Sequence, residues 1–196
     1  LPFNNMSADP EQEYFSDGIT EDLITDLSRI SGLFVIARNS VFTYKGQAVK
    51  VEDVARELGV RYVLEGSVRK SGNRVRINAQ LIEAATDNHL WAETFDRELT
   101  AENIFDIQSE IARKIVQAVA GELTPEEEQL LAEIPTRNLA AYEAYLRARE
   151  VFYGANYSRS QEFAAQPWLE KAIALDPDYT EAHALLASLY GQIYWR

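Results

Sequence analysis

Two runs of alternating residues, 60–69 and 74–81, constrain this chain more than anything else in it. In Arg74-Val75-Arg76-Ile77-Asn78-Ala79-Gln80-Leu81 the apolar side chains share one parity and the polar ones the other, the period of a half-buried strand. Residues 60–69 alternate in the same sense, with Tyr62, Leu64 and Val68 assigned to the covered face and Arg61, Glu65 and Arg69 to the open one. Between the runs, Lys70-Ser71-Gly72-Asn73 supplies a glycine and an asparagine, residues that accept the positive φ of a tight reversal. The pattern predicts a hairpin. A second turn at Thr86-Asp87-Asn88 leads into His89 to Phe95 and completes a three-stranded meander. Such a sheet needs apolar cover on one face and can meet water on the other.

The cover is present on both sides of the meander. Before it, Ile19, Leu23, Leu27 and Ile30 recur at helical spacing after Ser16-Asp17-Gly18, which reads as the helix start, with Ser31-Gly32 as its stop. On that reading Asp17, Glu21 and Asp22 are acids of the helix's first turns, placed at the positive end of its dipole. Leu33-Phe34-Val35-Ile36-Ala37 is a short continuous apolar run, expected to be a strand buried on both faces. Val51, Val54, Ala55 and Leu58 line a short helix closed by Gly59. After the meander, Ile104, Ile107, Ile111 and Ile115 stripe a helix of about five turns. Thr124-Pro125 followed by three glutamates reads as another helix start, its acids a solvated first turn. Leu1-Pro2-Phe3 reads as the end of an edge strand that begins upstream.

Charge and composition then exclude several functions. Nineteen basic against 31 acidic side chains leave a net charge of −12, which repels phosphate backbones, so nucleic acid is not an expected partner. No apolar run reaches the length of a membrane span. With no cysteine there is neither disulfide nor thiolate chemistry, and the compartment stays open. The two histidines, His89 and His183, are far apart and read as structural, the second at a helical core position. Asp17, Glu21 and Asp22 are explained by capping rather than by a metal. Nothing in the chain calls for a cofactor, a metal or a catalytic group.

Four separated motifs carry a family resemblance: Ser16 to Ile24, Val35-Ile36-Ala37-Arg38, Tyr62 to Arg69, and His89-Leu90-Trp91-Ala92-Glu93. Together they resemble the TolB amino-terminal-like (FlgO-like) domain, over about residues 1–123. Residues 139–196 are similar to tetratricopeptide repeats: with Pro177 as the proline that opens a repeat, Ala165, Leu169 and Ala172 fall at close-packing positions, and Leu186, Ala187 and Tyr190 follow in the next helix. Pro167 departs from that pattern and predicts a kink or a delayed helix start. Residues 124–138 read as a helical linker. The expected architecture is mixed α/β, a small mixed sheet with an antiparallel meander and flanking helices, followed by an all-α repeat segment.

The resemblance implies a non-catalytic sensory or regulatory region of a bacterial multidomain signalling protein, binding a protein, a peptide or a small ligand. Such regions accompany class III adenylate cyclase or winged-helix domains, so the alternatives are a fragment of an adenylate cyclase whose catalytic domain lies elsewhere, or a purely architectural oligomerisation unit. Two sets of residues are candidates for partner contact. Arg61, Arg69, Lys70, Arg74 and Arg76 make a positive strip on the hairpin, against the global sign. Tyr142, Tyr145, Trp168 and Tyr190 would line a helical concavity. Leu186, Leu189, Tyr190, Ile193 and Trp195 are expected to fold back or to form a homodimer contact.

Overall fold

The computed structural model describes residues 1–154 and 159–194, with side chains for all of these except 159–162, 193 and 194. Among the described residues the fold is mixed α/β: a four-stranded mixed sheet and eight α-helices. It forms two compact units, residues 1–99 with 103–133, and residues 100–102 with 134–196.

In the first unit the sheet order is β1-β2-β3-β4, with β1 at Asn4–Asn5, β2 at Tyr62–Ser71, β3 at Arg74–Glu83 and β4 at Asn88–Glu98. β1 runs parallel to β2, and the other pairs are antiparallel. The predicted hairpin closes at Ser71 opposite Arg74, and of its two loop residues only Gly72 takes positive φ, at 58°. Asp87, at φ 54°, makes the second reversal. Asparagine and aspartate tolerate this region because their short polar side chains bond locally.

Alternation sorts the strands as the sequence implies. Val68, Val75, Ile77, Leu81 and Phe95 are buried on one face. Helix α1, Glu13–Ser28, adds Ile19, Leu23 and Leu27 to this core, and α4, Ala101–Val119, adds Ile104, Ile107, Ile111 and Ile115. Lys114 pairs with Glu93 at 2.8 Å and Arg97 with Glu110 at 2.6 Å, which fastens α4 across β4 on the inner face. The opposite face is not bare throughout. Helix α3, Val51–Leu58, places Ala55 against Val63 and Ala84 in a second small core.

Two expectations for this unit are corrected. Leu33 to Ala37 forms no strand, and Phe34 is 85% exposed. No described strand lies beside the run, because the sheet ends at β1; an apolar segment without a ladder to join cannot become a buried strand. It instead borders an apolar groove of about 300 Å³ shared with Leu1, Leu23 and Leu64. The start of α1 is also earlier than read. A 3₁₀ turn, Pro10–Gln12, is capped by Asp9 and runs straight into Glu13, leaving Ser16 buried within the helix.

Helix α5, Pro125–Leu131, starts as Thr124-Pro125 predicts, with a reciprocal capping box between Thr124 and Glu127. Glu127 is not solvated, however. Its carboxylate accepts bonds from Ser31 Oγ at 2.6 Å, the Ser31 amide at 2.7 Å and the Thr124 amide at 2.9 Å. These bonds, Ser31's first, hold it down to about 2. Glu128 pairs with Arg113 at 2.8 Å.

The second unit stacks α6, Leu139–Phe152, α7, Arg159–Leu175, and α8, Thr180–Tyr194. Small side chains at the contacts let the helices approach: Ala141, Ala144, Ala172 and Ala182 form one cluster with Tyr179, and Ala148 and Ala165 another with Phe152, Leu169, Leu185 and Leu189. α7 is continuous across Pro167, so no delayed start occurs. The missing amide leaves the carbonyl of Phe163 without its helical donor; Phe163 is exposed, so water can serve. Leu189 and Leu186 pack back onto this core as expected, whereas Trp195 and the side chain of Ile193 lie outside the described residues.

Candidate functional site

A trough of about 580 Å³ lies on the outer face of the sheet. Its floor follows from strand register. Ser67, Asn78 and Thr94 face one another across β2, β3 and β4, and Glu65, Gln80 and Ala92 form the next row. Because side chains two apart on a strand share a face, five polar residues and Ala92 from three strands make one largely polar array. Thr94 Oγ1 donates to Asn78 Oδ1 at 2.8 Å, and Asn78 Nδ2 donates to Ser67 Oγ at 3.0 Å. Gln80 Nε2 donates to Glu65 Oε2 at 3.1 Å. The array is ordered by its own bonds.

One wall of the trough is the loop from Tyr44 to Val49, and α1 holds it in place. Lys45 is paired with Asp17, and with Glu13 at 3.1 Å. Arg38, on the one-turn helix α2 (Arg38–Val41), pairs with Glu21, which is only 5% exposed. Burial raises the Asp17 carboxyl above its ordinary range, and the bond from Lys45 opposes this without cancelling it. Its Oδ1 is buried without a partner. Lys45 loses by burial but gains more from Asp17 and Glu13, and ends raised. Tyr44 bonds Glu57 of α3, which raises its phenol. The acids read as helix caps are therefore mid-helix anchors. Asp22 takes a third contact, accepting from Gln108 Nε2 at 3.2 Å. Only the position of the partner loops, invisible in local sequence, separates the two roles.

The positive strip is compensated rather than open. Arg74 and Arg76 share Asp96, the second at 2.5 Å, and together they lower its carboxyl, Arg76 most. Arg61 pairs with Glu83 at 2.8 Å. Arg69 Nε donates to the Met6 carbonyl at 3.1 Å, and the Lys70 ammonium stands 4.5 Å from the Phe15 ring centre. Sequence reasoning missed that β4 returns an aspartate opposite two arginines.

In the helical unit one aromatic candidate is internal and three are partly exposed. Tyr142 is 1% exposed and gives its ring to the core, which leaves no ring surface for a partner. Tyr145 packs 5.1 Å from the Tyr179 ring. Arg147 and Lys171 stand 5.3 Å and 5.2 Å from the Trp168 ring centre, and Tyr190 accepts from Gln166 at 3.2 Å. His183, expected in the core, is exposed and donates from Nε2 to the Pro177 carbonyl at 2.9 Å. His89 is exposed on β4. Among the described residues no three His, Asp or Glu side chains are grouped to hold a metal ion, and no helix is long and apolar enough to cross a membrane.

A mixed sheet with one face packed under helices and one face carrying an ordered polar array defines a small α/β module. The chain belongs to the family of the HilA/YgeH-like transcriptional regulator, second domain, whose profile matches residues 1–114. It is also 52% identical over 187 residues to "Putative adenylate cyclase 3" of Rhizobium meliloti (strain 1021), covering 95% of this chain and 31% of that protein. The chain thus spans about a third of that relative's length. Three solved structures show partial likeness. Lipoprotein GNA1162 from Neisseria meningitidis is 20% identical at a TM-score of 0.45, over 61% of this chain and 96% of that one. PelC from Paraburkholderia phytofirmans is 17% identical at 0.38, over 62% and 85%. The LpoB C-terminal domain from Salmonella enterica is 16% identical at 0.32, over 49% and 77%. No functional statement follows from these three.

Proposed function

We propose that this chain is a non-catalytic sensory and interaction region of a longer bacterial signalling protein, its output performed by another domain. The observation that carries the reading is the match of residues 1–114 to a regulator's second domain. In finer terms, residues 1–123 act as a TolB amino-terminal-like module, 124–138 as a helical linker and 139–196 as tetratricopeptide-like repeats. The close-packed alanines of α6, α7 and α8 support the repeat reading. Partner contact falls to the hairpin residues Arg61, Arg69, Lys70, Arg74 and Arg76, and to the partly exposed Tyr145, Trp168 and Tyr190.

The name of the Rhizobium relative favours one output, cyclic AMP synthesis by a domain outside this chain. Cyclic AMP formation from ATP with magnesium or manganese separates the possibilities. The isolated chain is expected to form none, and deleting it from the longer protein is expected to change how activity responds rather than remove the chemistry. Turnover by the isolated chain would overturn the reading.

A further inference from the structure

We infer that the trough on the outer face of the sheet is a binding site for an uncharged, polyhydroxylated ligand of the saccharide class. The inference rests on the sensory reading only for its biological meaning, and names the ligand chemistry of that region.

Three features select this chemistry. First, the floor is built from planar amide and carboxylate groups beside hydroxyls. Asn78, Gln80 and Glu65 each present two polar atoms in one plane, an arrangement that spans the neighbouring hydroxyls of a sugar ring, and the internal bonds leave donors and acceptors over. Gln80 uses Nε2 and Glu65 uses Oε2, so the Oε1 atom of each is available for a hydroxyl donor.

Second, the sign of charge is wrong for anions. No Lys, Arg or His lines the trough, while the Glu65 side chain shares its face; Glu93 has the inner parity and its carboxylate pairs with Lys114 of α4. A phosphate or a nucleotide would be desolvated there against the Glu65 carboxylate, with no basic side chain to meet it. A small organic cation would meet a single carboxylate, Glu65, whose Oε2 is already engaged by Gln80, and it is therefore the competing probe in the test.

Third, the wall offers one aromatic ring, Tyr44, beside the glycine turn at Gly46. Its hydroxyl is tied to Glu57, and its neighbour Lys45 to Asp17 and Glu13. An aromatic ring in the wall beside a polar floor suits the C–H face of a sugar whose hydroxyls meet that floor. The pre-built wall spares ordering entropy on binding. At about 580 Å³ the space takes one or two sugar rings.

The test is a titration of the ¹⁵N-labelled chain with maltose, cellobiose, trehalose and N,N′-diacetylchitobiose in turn, with spermidine as the cationic probe. At least one saccharide is expected to give saturable amide shifts confined to 46–49, 65–67, 78–80 and 92–94. Asn78→Leu and Gln80→Leu are each expected to weaken that binding about three- to tenfold, the worth of one or two hydrogen bonds. Tyr44→Ala should weaken it as well. Should a leucine variant lose amide dispersion, Thr94→Val at an exposed position and Tyr44→Ala decide the matter. The inference is overturned if no saccharide shifts these amides, if spermidine alone does, or if binding survives all the variants that fold. A null titration beside an altered response in the deletion protein would sink the saccharide and spare the sensory reading; the reverse pair of results would do the opposite.

Discussion

The two faces of this sheet are made by the same strands and obey opposite rules. On the inner face Val68, Ile77 and Phe95 meet in one row and are sealed beneath helices. On the outer face the adjacent row, Ser67, Asn78 and Thr94, is joined by hydrogen bonds and left half open. The inner row gains by losing water, in proportion to area. The outer row gains little from its bonds, because water competes for every one of them. Stability is therefore concentrated on one side and recognition on the other, one residue apart along each strand.

Substitutions should expose that asymmetry. Ile77→Ala, at a fully buried position, is expected to cost about 2–5 kcal/mol in urea denaturation. An unchanged midpoint would mean that the inner face does not hold the fold. Gly66→Ala comes next. A β-carbon there would lie 2.5 Å from the Asn78 carbonyl oxygen and 2.6 Å from the Phe3 ring, so an overpacking loss of about 1–3 kcal/mol is expected.

Two acids with opposite pH signatures give a finer probe. Burial, with Asp22 next in weight, pushes Asp26 of α1 from 3.8 up to about 7. Between those values the folded state keeps a proton that the unfolded chain has released, so stability falls as pH rises through that window. Asp26→Asn should abolish this slope and raise the melting temperature above pH 7. Glu127 runs the other way. Its carboxyl drops from 4.5 to about 2 on folding, so the stability it contributes is present above pH 4.5 and disappears as pH falls through about 2. Glu127→Gln should lower the melting temperature at pH 7 and converge with the parent in strong acid. Thermal melts from pH 2 to 8 check both. The smallest effect belongs to the outer face: Arg74→Ala opens an exposed pair with Asp96 and should leave the denaturation midpoint unchanged within error.

Much of this was legible from local sequence because it depends on local geometry. Alternation along Arg74 to Leu81 fixed which side chains turn inward, and Gly72 fixed where the chain reverses. The Thr124-Pro125 start of α5 needed only capping chemistry. Legibility failed wherever a residue's role depends on something distant in the chain. Asp17 and Glu21 looked like caps because acids favour helix starts; Lys45 and Arg38 arrive from the segment between α1 and α3 to claim them. Glu127 looked solvated until Ser31, 96 residues away, is brought to it. The Leu33 to Ala37 run had the composition of a strand and lacked the neighbour that makes one.

The sequence by itself determined the periodicities, and hence the helices, the hairpin and the division of each strand into an apolar and a polar edge. Those follow from bond geometry and from the preference of each side chain for water or its absence. Only the tertiary structure decided that three polar edges would align into one floor, that α1's acids would brace the wall above it, and that Arg61, Arg74 and Arg76 would meet acids from neighbouring strands and turns. Charges and hydrogen bonds act over a few ångströms, so their partners are set by where the folded chain passes rather than by its order.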